Sequence, residues 1–205
     1  MMEETLLIPA GESCSELVEK HSRFIAQCFS VSDEKEAKEI VKRLWEEHPG
    51  ARHIVWAFVT GDKNSQNMGM SDDGEPKGTA GRPVLNVLSG SGITNVLCTV
   101  VRYFGGTLLG TGGLVKAYSQ SAKDAIEKLP VKPLVKETSF SFQIGYDIYD
   151  SIKYLLKKYD VRITDENFAE VIRIKAVVKE SQYTDVENEI MQLTAGKVKL
   201  EKLEK

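Results

Sequence analysis

Two stretches of this sequence combine charged side chains with glycine at spacings that could hold a ligand. The first is Ser71-Asp72-Asp73-Gly74-Glu75-Pro76-Lys77-Gly78-Thr79-Ala80-Gly81-Arg82-Pro83. Its three carboxylates, Asp72, Asp73 and Glu75, could gather Mg²⁺ through water, move a proton or contact a partner. The stretch is not an EF-hand, because the spacing and the closing glutamate are absent. Gly78 and Gly81 let backbone N–H groups converge beside Lys77 and Arg82, and Thr79 can cap a following helix. Asp-Gly and Glu-Pro are also plain turn dipeptides, so metal or acid–base, recognition and structural readings all stand.

The second stretch, Gly105-Gly106-Thr107-Leu108-Leu109-Gly110-Thr111-Gly112-Gly113, lies between an apolar strand and a helix. Glycine N–H groups at a helix start suit an anion, and Arg102 and Lys116 could add charge. A tight turn packed against backbone is the alternative. The pattern is not a P-loop, since no Lys-Ser or Lys-Thr pair follows Gly110. It is not a dinucleotide fingerprint either, since Val115 stands where the third glycine belongs. Arg23, Lys63, Lys77, Arg82, Arg102 and Lys116 could line one basic surface. Tyr103, Phe104 and Tyr118 could stack bases or belong to the core. His53 lies in a strand, where a satisfied imidazole and a catalytic one are both open. No Ser/His/Asp or Cys/His signature supports covalent catalysis. No cofactor is expected, Mg²⁺ at the three carboxylates being the one alternative.

The elements that must position these residues follow from hydrophobic periodicity. Residues 22–32 and 51–60 read as strands. Between them Ala37, Ile40, Val41, Leu44 and Trp45 recur at helical spacing, with Ser32 or Asp33 as the cap. Residues 61–70 read as a polar loop. After Pro83 a helical turn or more is expected, then a buried strand over 93–104. A helix follows with Leu114, Ala117, Tyr118, Ala122, Ala125, Ile126 and Leu129 on one face. The first part is thus α/β, with at least three strands and three helices. Pro130 and Pro133 mark a linker, giving domains at 1–130 and 134–205. The second part reads β-α-β-β-α-β, a ferredoxin-like order. In it Ile148, Ile152, Leu155, Leu156 and Tyr159 point inward from one helix, and Val186, Ile190, Met191 and Leu193 from the other, which Gly196 stops. Val171, Ile172, Ile174 and Val177 supply the apolar positions of a strand.

The 205 residues carry a net charge of −3, and neither part is basic. A nucleic-acid contact would therefore be a local patch. The three cysteines, Cys14, Cys28 and Cys98, read as free thiols in a reducing cytoplasm. No signal peptide or membrane span is expected.

The segments SDDGEPKGTAGRPVLNVL, VVRYFGGTLLGTGGLVKAYSQSA and ARHIVWAF closely resemble the IMPACT/YigZ family, and the resemblance extends over essentially the whole chain. It implies an α+β protein: an N-terminal α/β sandwich resembling domain IV of elongation factor G, then a ferredoxin-like βαββαβ domain resembling its domain V. Eukaryotic relatives regulate translation through a protein partner bound by an additional N-terminal domain, so that partnership is not carried over. The resemblance implies a translation-associated regulator that binds RNA or the ribosome through the glycine-motif face, and the residues offer no complete catalytic constellation. An enzyme for a small anionic or phosphorylated substrate and a protein-binding adaptor are the alternatives.

Overall fold

The computed structural model describes residues 6–62 and 65–203 and divides into two units, Met1–Leu134 and Val135–Lys205. The first unit is built on a five-stranded sheet of β2 (Ser13–Glu19), β3 (Ser22–Ser30), β4 (His53–Thr60), β5 (Asn67–Ser71) and β6 (Val96–Tyr103), in the order β2-β3-β6-β4-β5. Every neighbouring pair is antiparallel. Helices α2 (Gly81–Gly90) and α3 (Gly110–Glu127) pack on one face, over Phe24, Ala26, Cys28, Val55, Ala57, Cys98 and Val100. Helix α1 (Glu34–Glu47) covers the other, over Ile25, Phe29, Ile54, Phe58, Leu97 and Val101. Central strands covered on both faces explain the near-continuous apolar runs of β3 and β6.

Asp33 caps α1, accepting from the Glu36 N–H at 2.9 Å, while the Glu36 carboxylate accepts from both the N–H and the hydroxyl of Ser32. The helix buries Ala37 and Leu44 but leaves Trp45 exposed, contrary to its expected inward position. Three segments also depart from the sequence reading. The expected polar loop contains β5, whose register with β4 runs from Trp56↔Ser71 to Thr60↔Asn67. The helical turn or more expected after Pro83 is present as a helix, but it begins earlier, at Gly81. The expected linker contains β7 (Val131–Pro133), which pairs with β1 (Leu7–Pro9). Lys63 lies outside the described residues.

The second unit has the ferredoxin-like topology read from the sequence. Strands β8 (Glu137–Ile144), β9 (Arg162–Phe168), β10 (Ile172–Lys179) and β11 (Glu201–Lys202) are ordered β11-β8-β10-β9, all antiparallel. Helices α4 (Tyr149–Lys158) and α5 (Glu180–Leu193) bury Ile152, Leu155, Leu156, Val186 and Ile190. Met191 and Leu193 are exposed rather than inward, as is Val171. The Gly196 N–H bonds back to Met191 O at 2.8 Å and ends α5. The α+β fold class therefore stands. Among the described residues no helix is long and apolar enough to cross a membrane.

Candidate functional site

Both motifs meet the same end of the first sheet. Cross-strand register lines up His53, Arg102 and Phe24 on the face covered by α2 and α3. Arg102 is only 5% exposed; its guanidinium lies over Phe24 at 5.3 Å and against Phe104 at 5.6 Å. It donates to the Glu75 carboxylate and, at 3.4 Å, to the Ser22 hydroxyl, while its Nε has no acceptor. Glu75, 8% exposed, also accepts from the Tyr118 hydroxyl at 2.9 Å. Burial and then the Glu75 charge push the Tyr118 phenol far upward, so it stays protonated as a donor. His53 Nδ1 lies 2.7 Å from Asp73 O; a carbonyl only accepts, so Nδ1 is a donor there, and Nε2 faces Glu75 at 3.9 Å.

The other two carboxylates of the first motif also turn inward. Asp72 accepts from the N–H groups of Gly78 (2.8 Å), Ala80 (3.1 Å) and Gly81 (2.8 Å) at the start of α2. It thus does what the sequence assigned to Thr79, whose hydroxyl instead donates to Pro76 O at 2.6 Å. Burial works to raise the Asp72 carboxyl, but the three donors outweigh it and hold it below the ordinary range. Asp73 accepts from the Ile54 N–H; there burial wins and the carboxyl is raised. Among the described residues no three of His, Cys, Asp and Glu gather as a metal ion requires. The side chains of the motif left in solvent are Pro76, Lys77 and Arg82.

In the second motif Gly105 is held against the β2–β3 turn. A Cβ there would lie 2.0 Å from the His21 carbonyl carbon, and the Gly105 N–H donates to the Ser22 hydroxyl at 3.2 Å. On either side of Gly105 the loop exposes Phe104, Thr107 and Leu108, the last 81% exposed. Helix α3 begins at Gly110 with no side-chain cap and no acidic residue in its first turn. Its first N–H groups are therefore open to an anion. Gly112 differs from its neighbours: its φ is ordinary and a Cβ would meet nothing within 4 Å. Neither strain nor packing requires glycine there. Lys116 is exposed one turn on. A groove of about 760 Å³ between α2 and α3 brings Gly78 and Arg82 of the first motif opposite Val115, Ser119 and Lys123.

The structure thus separates the candidate residues into two groups. Lys77, Gly78, Arg82, Gly106, Gly110, Gly112 and Lys116 are exposed, with Gly113 half-buried beside them. Arg102, Glu75, Thr79 and Gly81 are buried, and His53, Asp72, Asp73 and Gly105 are half-buried in the scaffold.

Residues 20–126 match the Impact N-terminal domain, and residues 142–197 match a domain of unknown function (DUF1949). Over 199 residues the chain is 35% identical to an IMPACT family member of Haemophilus influenzae, covering 97% of each. The chain belongs to the IMPACT family. It is also 35% identical to the IMPACT family member YigZ of Escherichia coli over 198 residues, 96% of this chain and 97% of that relative. A crystal structure described as that of a hypothetical protein superposes with a TM-score of 0.75 at 35% identity, over the full length of both chains.

Within this IMPACT-family chain, sequence reasoning missed Ser22 and the capping role of Asp72. Ser22 had no local signal, because its partners Arg102 and Gly105 are 80 and 83 residues away. Asp72 had one: an aspartate placed shortly before a glycine pair that opens a helix can reach the free N–H groups.

Proposed function

We propose that this IMPACT-family protein is a translation-associated regulator that binds RNA or the ribosome through its glycine-motif face. One observation carries the reading. The three carboxylates of the first motif are bonded inward, so its outward side chains, Lys77 and Arg82, are cationic. Arg82 shares the α2–α3 groove with Lys123, and the exposed Lys77 and Lys116 and the uncapped start of α3 add to the charge available for a local basic patch on a chain of net charge −3. The family's likeness to domain IV of elongation factor G points the same way, as an analogy of fold. The enzyme reading lacks free acid–base groups, since the carboxylates it needs are occupied.

Ribosome co-sedimentation and RNA gel shifts at low salt test the proposal. Lys77→Ala, Arg82→Ala and Lys116→Ala each weaken binding uniformly across RNA sequences and make it less salt-dependent. Absence of both co-sedimentation and shift overturns it. The exposed Leu108 and Phe104 favour a protein-binding adaptor as the second reading, marked by a partner that RNase treatment leaves attached.

A further inference from the structure

The sheet of the second unit buries Phe140, Phe142, Ile144, Ile172, Ile174, Ala176 and Val178. Alternation places Ser139, Ser141 and Gln143 of β8 on the opposite face, with Arg173, Lys175, Val177 and Lys179 of β10. Two cations of this sheet are neutralised: Arg162 pairs with Glu137 at 3.0 Å and Lys175 with Asp165 at 3.2 Å. Arg173, Lys197 and Lys199 have no ion-pair partner among the described residues.

Those three line one hollow of about 490 Å³, shared with Ser141, Gln143 and Glu201. The hollow exists because β11 pairs with β8 only at Glu201↔Ser141 and Lys202↔Phe140. On that edge no strand continues beside Gln143, which pairs only with Arg173 of β10, and the connection from α5 is anchored there by its own buried Val198. Lys197 follows the C-terminal end of α5, where a cation is favoured by the helix dipole. That accounts for Lys197 alone. Arg173 and Lys199 come from separate elements, and three like charges around one concave site, with only Glu201 of opposite sign among them, favour a further anion.

We infer that this hollow is a binding site for a phosphoryl group. Arg173 offers a planar fork that matches two phosphate oxygens, Lys197 and Lys199 add point charge, and the Gln143 amide and Ser141 hydroxyl are neutral donors. Glu201, the one carboxylate in the lining, limits the charge the site accepts. The group is carried by a nucleic-acid backbone or by a small phosphorylated compound. The site lies on the second unit and stands or falls without the glycine-motif reading.

The test is residue-resolved NMR on the full isotope-labelled chain at low ionic strength, titrated with inorganic phosphate. The expected result is saturable shifts of the Gln143 side-chain amide and Arg173 Nε, with Gln143 binding weakened roughly tenfold in Arg173→Gln. Arg173→Lys, which keeps the charge but loses the fork, falls between. A short single-stranded RNA that produces the same shifts identifies a backbone phosphate. RNA that leaves them unmoved, while glycerol phosphate reproduces them, identifies a small compound. No phosphate-induced shift at Gln143, or an undiminished one in a folded Arg173→Gln/Lys199→Gln chain, overturns the inference.

Discussion

Arg102 and Glu75 form an ion pair inside the first unit, with side chains only 6% and 4% exposed. Arg102 is the penultimate residue of β6, the strand that leads into the second glycine motif, and Glu75 sits in the middle of the first. The pair therefore locks the two motif loops to one sheet end, with Tyr118 of α3 as a third member. It removes from solvent two charges that the sequence offers as site residues. Their bonds hold the loops in place.

Removing one partner leaves the other charge buried, so Arg102→Ala destabilises the first unit by about 3–5 kcal/mol. Replacing both, as Glu75→Leu with Arg102→Met, costs less than either single change. Denaturant unfolding followed by fluorescence checks this, because both tryptophans, Trp45 and Trp56, lie in the first unit. A double variant as unstable as the sum of the singles would contradict the pairing.

Asp72 and Asp73 are adjacent but respond oppositely to pH. The Asp72 carboxyl is lowered in the fold, so its contribution is present above the unfolded carboxylate value and is lost as pH falls through the folded one. Asp72→Asn therefore costs about 1–2 kcal/mol at neutral pH, and the difference from the parent shrinks in acid. The Asp73 carboxyl is raised by burial, so its contribution is present below the unfolded value and is lost as pH rises through the folded one. Asp73→Asn keeps an acceptor for the Ile54 N–H without the charge and is neutral or stabilising at neutral pH. Stability measured against pH for both variants decides the matter, and a matching pair of curves would refute it.

Much of this architecture is legible in the residues. The second unit is clear because its strands alternate strictly, as in Phe140, Phe142 and Ile144, and its helices bury one stripe. The edge strands of the first sheet are not legible. β2 and β5 carry sequences such as Asn67-Met68-Gly69-Met70 and are held by backbone ladders, which leave little apolar pattern. Both site motifs are visible as glycine-rich, charged stretches, but which of their charges face solvent is not. That depends on pairings such as Glu75 with Arg102, 27 residues apart, and on Asp72 reaching three N–H groups.

Leu108 separates the two partner classes. At 81% exposure its replacement by serine leaves stability within about 0.5 kcal/mol of the parent. If RNA phosphate is the main contact, Leu108→Ser leaves the salt dependence of binding unchanged, whereas Lys77→Ala reduces it. Binding measured at several salt concentrations reads this directly. A loss of all binding in Leu108→Ser with no effect of Lys77→Ala assigns the face to a protein partner instead.

Gly105 and Gly112 separate folding from binding within one motif. A methyl group at Gly105 meets the His21 backbone at 2.0 Å, which no side-chain movement relieves, so Gly105→Ala destabilises the first unit by about 3 kcal/mol. At Gly112 the methyl group enters open space in the first turn of α3, and alanine is a better helix former, so Gly112→Ala is as stable as the parent or up to about 1 kcal/mol more stable. If the start of α3 receives the partner's phosphate by close backbone approach, the same methyl group obstructs it. Gly112→Ala then loses ribosome or RNA binding while keeping its fold, a combination that a purely structural glycine does not produce. Thermal unfolding and co-sedimentation on the same preparations measure both halves. A stable Gly112→Ala chain with undiminished binding removes the helix start from the contact.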